Sequence, residues 1–434
     1  MPRKGFFRQS QLTSKKIKNS NNTAHCKKCK LNEKSKTPYM KLGGSGEIKI
    51  LHVAQTPELL EDRKNEYFIS KAGSFYKRKL RKLGIDLDEC SMTYACVCHS
   101  PRNKKPTKTQ IKACNANILK TIKEVQPHVI IALGEAALEA LIGNRLNKEI
   151  SSVAAYRGFI IPDREYNAWI CPIYHPNYVL AEYSPEISET LFELDLKQAV
   201  AMLNVPLPKF ENEQDKVSIL KHKKEIIAFL KHVLYDYSSQ EFMTAFDYEG
   251  TGLKPQRKEQ KLYTCSIALT PNYVAAFPML DDSEFLNLLC TYLKNHRIKK
   301  IAANIGFEHT WSQVKLGTQV KGWFYDTMNG QHHIDNRPHI CSLEFQNFIY
   351  FGIEPYDQHV KKYLKTEKGG NQLNRIHECD MYDLLLYNGM DSLTEYRLAL
   401  VQMELINKDF YKYYDSITNP RPQDLAPQYF INRK

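Results

Sequence analysis

Long apolar runs are missing from this sequence. No stretch of its 434 residues is apolar for long enough to span a bilayer. The first eight residues, MPRKGFFR, are basic, but the apolar core of a secretory signal peptide does not follow them. These absences exclude a membrane-embedded function, and they predict a cytoplasmic location and no membrane partner.

Acidic residues are scarce at the N-terminus. Residues 1–41 contain 12 Lys and Arg but only one acid, Glu33, and the whole chain has a net charge of +13. Residues 1–24 are also rich in Ser, Asn and Gln, which predicts a basic disordered arm. A basic arm favours polyanionic partners, with nucleic acid as the first candidate and a solubilising tail as the alternative.

The cysteines do not indicate a disulfide framework. There are 11 of them in a chain with no secretory signal, so metal binding or simple burial is the better explanation. Cys26 and Cys29 form a C-x2-C pair, which needs two further ligands to hold a metal. The candidates for those ligands are the later cysteines of the first half, namely Cys90, Cys96, Cys98, Cys114 and Cys171.

The order of strand-like and helix-like segments predicts two domains of the α/β class. Between residues 25 and 203 strands alternate with helices, which is typical of a parallel sheet covered on both faces. A Pro-containing linker is expected at 204–216. Residues 217–415 then give three consecutive strands followed by helices, an α+β arrangement with an antiparallel hairpin, and 416–434 form a polar tail.

Acidic residues in the second domain fall at the ends of predicted elements. Asp247 and Glu249 follow a buried strand at 241–246, and positions i and i+2 of a strand share one face. Glu308 follows a later strand and lies four residues after Asn304. Tyr387 and Asp391 are spaced i, i+4, and therefore share one helix face.

These three segments, in this order, resemble the motifs of the 3′–5′ exonuclease domain of DNA polymerase I-type enzymes, the Tyr-containing (DEDDy) branch of the DnaQ-like nucleases. The resemblance covers about residues 216–405 and implies an RNase H-like α+β fold. Asp247 and Glu249 match the first motif, Asn304 and Glu308 the second, and Tyr387 and Asp391 the third. The family usually has Asp where this chain has Glu308, a change that keeps the charge.

The resemblance implies a role for each side chain. Asp247, Glu249 and Asp391 would hold two Mg²⁺ or Mn²⁺ ions, hard cations that prefer carboxylate oxygens. Glu308 would orient water on the second ion, Tyr387 would position the attacking water, and Asn304 would contact DNA. The implied substrate is the 3′ end of single-stranded DNA.

The first domain resembles family 4 uracil-DNA glycosylases over about residues 24–203. Cys26, Cys29, Cys98 and Cys114 have the spacing of that family's four thiolate ligands, which implies a [4Fe–4S] cluster. Four thiolates at this spacing are also compatible with Zn²⁺. Phe68 matches the Phe that stacks on uracil, and His175 matches the histidine of the His-Pro motif.

Two positions of the glycosylase pocket depart from the family. Gln55 stands where the family has its catalytic carboxylate, and Tyr94 stands where an Asn recognises the uracil edge. A tyrosine offers one hydroxyl and far more bulk than an Asn, while a flipped base needs a close-fitting pocket. We therefore predict that uracil excision is absent or strongly reduced. A basic helix at 72–83 still offers Lys77, Arg78 and Arg81 to a phosphate backbone, or is a solvated face.

Together the two halves resemble the front of DNA polymerases from large phages, without palm, fingers and thumb. The leading hypothesis is a proofreading-type 3′–5′ exonuclease in phage DNA replication, with a separately encoded polymerase domain as a potential partner. One alternative is an active iron–sulfur glycosylase of DNA repair. Another is a non-catalytic DNA-binding part of a split polymerase.

Overall fold

A computed structural model of the chain describes residues 25–146, 149–150, 152–235, 242–366 and 372–418. The chain forms two compact units that divide between Pro206 and Leu207. None of the helices in these ranges is long and apolar enough to cross a membrane. The predicted arm at 1–24 lies outside the described residues, as does 419–434 of the predicted tail.

The first unit is built on a five-stranded sheet in the order β2-β1-β3-β5-β4. Its strands are β1 (Ile50–Ala54), β2 (Ser91–Tyr94), β3 (Val129–Leu133), β4 (Ile161–Asp163) and β5 (Ala168–Ile173). The first four strands of that order are mutually parallel, whereas β4 pairs antiparallel with β5 at the edge. Every residue of these strands is buried, as expected for a sheet covered on both faces.

The described residues of this unit form seven α-helices: α1 (Cys26–Cys29), α2 (Leu59–Lys64), α3 (Lys71–Lys82), α4 (Lys108–Val125), α5 (Glu135–Ile142), α6 (Pro176–Val179) and α7 (Ile187–Ala201). Local sequence fixes where several of them begin. Thr107 and Gln110 form a capping box at the start of α4, and the Ser70 side chain accepts the Gly73 N–H at the start of α3.

The second unit contains a six-stranded sheet in the order β11-β10-β7-β8-β9-β6. Its strands are β6 (Val217–Ile219), β7 (Phe242–Gly250), β8 (Leu262–Thr270), β9 (Tyr273–Pro278), β10 (Ile298–Ala302) and β11 (Trp323–Asp326). Strands β7, β8 and β9 form an antiparallel meander, and β7 also pairs parallel with β10. The sheet is therefore mixed, with β7 near its centre.

The helices of the second unit are α8 (Lys223–Tyr235), α9 (Ser283–Lys294), α10 (Gly306–Lys315), α11 (Thr327–Ile334), α12 (Leu343–Phe351), α13 (Lys361–Leu364) and α14 (Met381–Thr418). One apolar cluster joins α8, α9 and α10 to Phe246 and Tyr248 of β7. A second cluster joins α14 to Ala245 and its neighbours on the opposite face. Alternate residues of β7 thus face different helix layers.

Three segments differ from the sequence-based prediction. The helix expected from residue 218 begins only at Lys223, because β6 precedes it and pairs with β9. Strand β11 was not predicted, and α14 continues to Thr418, three residues into the predicted tail. The short strands β6 and β11 lie at the two edges of the sheet, so their pairing with β9 and β10 defines them more than their own sequence does.

Candidate functional site

Three carboxylates of the second unit converge at one point. Asp247 and Glu249 lie on the β7 face that also carries Ala245, toward α14, and Asp391 reaches them from that helix. One ligand oxygen from each of the three lies within 4.8 Å of the other two. The i, i+2 spacing on the strand and the packing of α14 across the sheet together produce this arrangement.

Side-chain hydrogen bonds hold this carboxylate group in place. Asn388 donates from Nδ2 to Asp247 Oδ2 at 2.6 Å, and the Tyr356 hydroxyl donates to Asp391 Oδ1 at 2.5 Å. The Ser266 hydroxyl donates to the Asn388 carbonyl oxygen at 2.7 Å, which ties α14 to strand β8. Helix and strand are thus locked together beside the carboxylates.

Glu308 joins the group from the first turn of α10. It is almost fully buried and lies beside the Asp247 carboxyl, while its Oε2 has no hydrogen-bond partner. The turn before α10 depends on Asn304, whose φ of 64° is in the left-handed region. Asp326 accepts the N–H groups of Asn304 and Ile305 and so fixes this turn. The substitution of Glu for the family's Asp therefore keeps the carboxyl at the site.

Tyr387 lies one turn before Asp391 and faces the same site. Its ring centroid is 5.8 Å from that of Tyr356. Burial raises the pKa of Asp391 to about 7, although hydrogen bonds from the two tyrosines oppose the rise. Two hydroxyls therefore flank one carboxylate of the group, whereas the sequence indicated only one.

The electrostatics of the group favour a bound cation. Burial raises the pKa of Asp247, Glu249 and Glu308 well above the ordinary range, and neighbouring carboxylates raise each of them further. Carboxylates packed this closely are stable only when protonated or when paired with positive charge. The oxygen-only donor set and the unpartnered oxygen of Glu308 fit a hard divalent ion such as Mg²⁺ or Mn²⁺.

Three polar residues of this site were not predicted from the sequence. Tyr356 comes from the loop between α12 and α13, and no local pattern identifies it. Asn388 and Glu395 lie on α14 beside the third motif, and Glu395 continues the i, i+4 spacing of Tyr387 and Asp391. Glu395 could therefore have been predicted from the sequence by this spacing.

A recess in the first unit collects the four predicted cysteine ligands and one more. Its lining includes Cys26, Cys29, Cys98, Cys114 and the additional Cys96, together with Tyr39 and Asn117. All five cysteines are free thiols. The other two candidates, Cys90 and Cys171, are buried elsewhere in the unit.

The recess supplies hydrogen-bond donors to the sulfurs. The Tyr39 backbone N–H donates to Cys98 Sγ at 3.3 Å, and Asn117 Nδ2 donates to Cys114 Sγ at 3.2 Å. A hydrogen bond from Cys96 lowers the pKa of Cys114 to about 6, which favours its thiolate form. Thiols that line one recess and accept N–H bonds suit a thiolate-bound iron–sulfur cluster or zinc in their donor chemistry.

Aromatic side chains pack together at the predicted base-pocket residues Phe68 and Tyr94. The Tyr94 ring stacks on Tyr67 with centroids 4.9 Å apart, and it lies nearly parallel to Phe68 at 6.2 Å. Tyr94 is buried, and its hydroxyl donates to Glu61 Oε2 at 2.9 Å. Gly73 permits this packing, because a Cβ there would lie 2.3 Å from the Phe68 backbone. Tyr94 therefore occupies space beside the stacking Phe.

Gln55 and His175 complete the predicted base-pocket residues. Gln55 is half-buried at the end of β1, where its carbonyl oxygen accepts the Cys96 N–H at 3.0 Å. His175 Nδ1 accepts the Asn177 N–H at 3.1 Å, so the neutral ring carries its proton on Nε2. Burial lowers the pKa of His175 to about 4, which keeps it neutral. Gly134, at φ 83°, lets His175 pack against its backbone, because a Cβ there would lie 2.9 Å from His175 Cβ.

The basic helix α3 is less available to phosphates than its composition indicated. Lys77 pairs with Asp88 at 3.3 Å, and Lys79 is buried against Glu189 and Glu193. Arg78 lies over the Phe75 ring, with its guanidinium carbon 5.5 Å from the centroid, and Arg81 is exposed. Part of the charge on this helix therefore serves packing within the unit.

The fold and the two sites define a chain in which a glycosylase-like unit precedes a unit with a nuclease-type acidic centre. The sequence profile of the uracil DNA glycosylase superfamily matches residues 40–198. A type-4 uracil-DNA glycosylase of Pyrobaculum aerophilum is 30% identical over 163 residues, 36% of this chain and 80% of the relative. The chain belongs to the uracil-DNA glycosylase superfamily through this first domain.

A second relative extends beyond the glycosylase region. The DNA polymerase of Bacillus phage SP01 is 25% identical over 316 residues, which is 67% of this chain and 33% of the polymerase. The chain thus spans about a third of that relative's length. Among solved structures, Escherichia coli RNase D, an exoribonuclease involved in structured RNA processing, covers 49% of this chain at 11% identity. Its TM-score is 0.35, over 50% of its own chain. The mixed six-stranded sheet of the second unit agrees with the α+β arrangement that the sequence predicted.

Proposed function

We propose that the chain is a metal-dependent 3′–5′ exonuclease that acts on single-stranded DNA ends. The observation that carries this proposal is the convergence of Asp247, Glu249 and Asp391 within 4.8 Å, with Glu308 and Tyr387 beside them. These residues come from a strand and two helices that are far apart in the chain. A structural role accounts poorly for so many partly buried carboxylates, because each is costly without a cation.

Each side chain has a task in this proposal. Asp247, Glu249 and Asp391 would hold two Mg²⁺ or Mn²⁺ ions, which when bound activate a water and stabilise the leaving 3′ oxygen. Tyr387 would orient the attacking water through its hydroxyl, and Glu308 would accept hydrogen bonds from water near Asp247. Asn388 holds the Asp247 carboxylate in place, and Tyr356 holds that of Asp391.

For the first unit we propose DNA binding without base excision. The absence of excision is supported by the Tyr94 ring, which is buried, stacked on Tyr67 and hydrogen-bonded to Glu61. Gln55 offers no carboxylate to stabilise positive charge on a sugar. A uracil-containing duplex treated with the protein and then with alkali should stay intact. Strand cleavage at uracil would instead support the alternative of an active repair glycosylase.

We further propose that Cys26, Cys29, Cys98 and Cys114 hold a [4Fe–4S] cluster, with Zn²⁺ as the alternative. Their convergence on one recess and the N–H donors to Cys98 and Cys114 support thiolate ligation. The visible absorbance of anaerobically purified protein separates the two metals. A brown protein with iron and sulfide supports the cluster, and a colourless protein that contains zinc contradicts it.

The decisive test of the nuclease is hydrolysis of 5′-labelled single-stranded DNA with Mg²⁺. Asp247→Asn keeps an oxygen and the size of the side chain but removes its charge. We expect it to lower the rate at least about 100-fold, since metal ions stabilise the transition state by several kcal/mol. Asp281→Asn, at an exposed site between β9 and α9, is the matched control and should leave the rate unchanged.

The pattern of products distinguishes the competing functions. A ladder that shortens from the 3′ end supports the proposal, whereas equal rates in wild type and Asp247→Asn would refute it. A chain that binds labelled DNA without cutting it would be the non-catalytic accessory part of a split polymerase. An RNA strand of the same sequence, tested in parallel, establishes whether DNA is the preferred substrate.

The biological setting proposed is phage DNA replication in the host cytoplasm, beside a separately encoded polymerase. The likeness to a phage polymerase over 67% of this chain supports it. The domain limits proposed are 25–203 for the glycosylase-like domain, 204–216 for the linker and 217–415 for the nuclease. Adding the protein to a mismatched primer with a polymerase that lacks proofreading should restore extension. Asp247→Asn should not.

A further inference from the structure

Glu395 is a buried carboxylate to which the nuclease motifs assign no role. It lies on α14, one turn after Asp391, and only 2% of its surface is exposed. Its Oε1 accepts the Ala303 backbone N–H at 3.0 Å, whereas its Oε2 has no hydrogen-bond partner. A buried carboxylate with one unsatisfied oxygen is costly unless it is protonated or paired with positive charge.

The Ala303 hydrogen bond connects two parts of the acidic centre. Ala303 follows β10 directly and begins the short connection that ends in α10, where Glu308 lies. Asp326 holds the next two N–H groups of the same connection. Glu395 and Asp326 therefore fix three successive backbone groups just before Glu308 enters the site.

The charged side chains that act most strongly on Glu395 have the same sign as its own. Its electrostatic neighbours are Asp247, Glu308 and Asp391, the carboxylates of the proposed metal centre. A glutamine could accept the Ala303 N–H equally well and would not add to this repulsion. A bound cation among these carboxylates would offset the repulsion, and the charge of Glu395 would then strengthen cation binding.

We propose that Glu395 is a positioning residue of the nuclease centre with two separable contributions. Its Oε1 holds the β10–α10 connection and thereby places Glu308, and its negative charge raises the affinity of the centre for divalent cations. This inference rests on the proposed nuclease function. It adds a fifth carboxylate to the four that the motifs supplied.

Two substitutions separate these contributions. Glu395→Gln retains the acceptor for Ala303 and removes the charge, so it should raise the half-saturating Mn²⁺ concentration about tenfold and leave kcat at saturating Mn²⁺ unchanged. Glu395→Ala removes both, so it should also lower kcat. Glu404→Gln, at an exposed position of the same helix, is the control and should behave like wild type.

Mn²⁺ binding, followed by electron paramagnetic resonance on the full chain without DNA, gives a readout that does not require turnover. Unchanged kcat in Glu395→Ala at saturating Mn²⁺ would overturn the positioning role, and unchanged Mn²⁺ affinity in Glu395→Gln would overturn the charge role. If wild type binds Mn²⁺ but cuts no DNA, the proposed nuclease function fails, while the binding comparison still decides the role of Glu395. Circular dichroism of each variant excludes a folding defect.

Discussion

Without metal, the acidic centre should destabilise the second unit in a pH-dependent way, and Asp391→Asn should relieve the effect. The pKa of Asp391 in the folded protein is about 7, compared with 3.8 for an ordinary aspartate. A carboxyl whose pKa is higher in the folded state favours the unfolded chain at every pH above its unfolded pKa. The penalty therefore starts near pH 4, grows with pH and is complete above pH 7.

The size of this effect follows from the shift in pKa. The difference between about 7 and 3.8 is about 3 units, and each unit corresponds to 1.36 kcal/mol, so ionised Asp391 costs about 4 kcal/mol at pH 8. An asparagine still accepts the Tyr356 hydrogen bond but carries no charge. Asp391→Asn should therefore raise the free energy of unfolding by about 4 kcal/mol at pH 8 and by almost nothing at pH 4.

Urea unfolding in EDTA, monitored by tryptophan fluorescence, measures this difference. The chain has three tryptophans, of which Trp311 and Trp323 lie in the second unit. A Trp169→Phe background therefore restricts the signal to that unit. Asp281→Asn is the control for loss of one exposed negative charge and should change stability little at either pH.

Adding Mg²⁺ should reduce the difference in stability between wild type and Asp391→Asn. A ligand that binds only the folded state at 100 times its Kd adds about 2.7 kcal/mol of stability. Wild type should gain this amount, and Asp391→Asn should gain much less, so the advantage of the variant should shrink when Mg²⁺ is added. A variant that is no more stable than wild type at pH 8 in EDTA would refute the electrostatic argument, as would an equal advantage at pH 4 and pH 8.

Three further predictions concern single features. Gln55→Glu combined with Tyr94→Asn should produce abasic sites in uracil-containing DNA that wild type leaves intact, because the pair restores a carboxylate and empties the stacked pocket; an inactive, folded double variant would contradict this. Cys98→Ala should lose visible cluster absorbance, whereas Cys96→Ala should retain it, since Cys96 is outside the proposed ligand set; equal loss in both would assign Cys96 as a ligand. Tyr356→Phe removes a hydrogen bond that favours ionised aspartate, so the acid limb of DNA hydrolysis should move about one unit upward in pH. An unmoved limb would show that this hydroxyl does not act on the ionisation that limits the rate.

Much of the fold could be predicted from the sequence because the signals are local. Strands β1 and β3 are short apolar runs, and the hairpin of β8 and β9 turns at Pro271 and Asn272. The antiparallel direction of edge strand β4 and the presence of the parallel edge strand β11 could not be predicted in the same way. Their direction depends on which strand they pair with, and that is decided by the rest of the sheet.

The sequence by itself determined which carboxylates belong together, since Asp247, Glu308 and Asp391 carry their motifs in short segments of the chain. Only the tertiary structure decided that Tyr356 donates to Asp391 and that Glu395 holds the connection before Glu308. It also decided that the Tyr94 ring stacks on Tyr67 beside Phe68. The physical reason is the sequence separation of the residues in contact. Period and spacing report what one element presents on one face, whereas these contacts join residues 35 and 92 positions apart, whose meeting depends on how helices pack across a sheet.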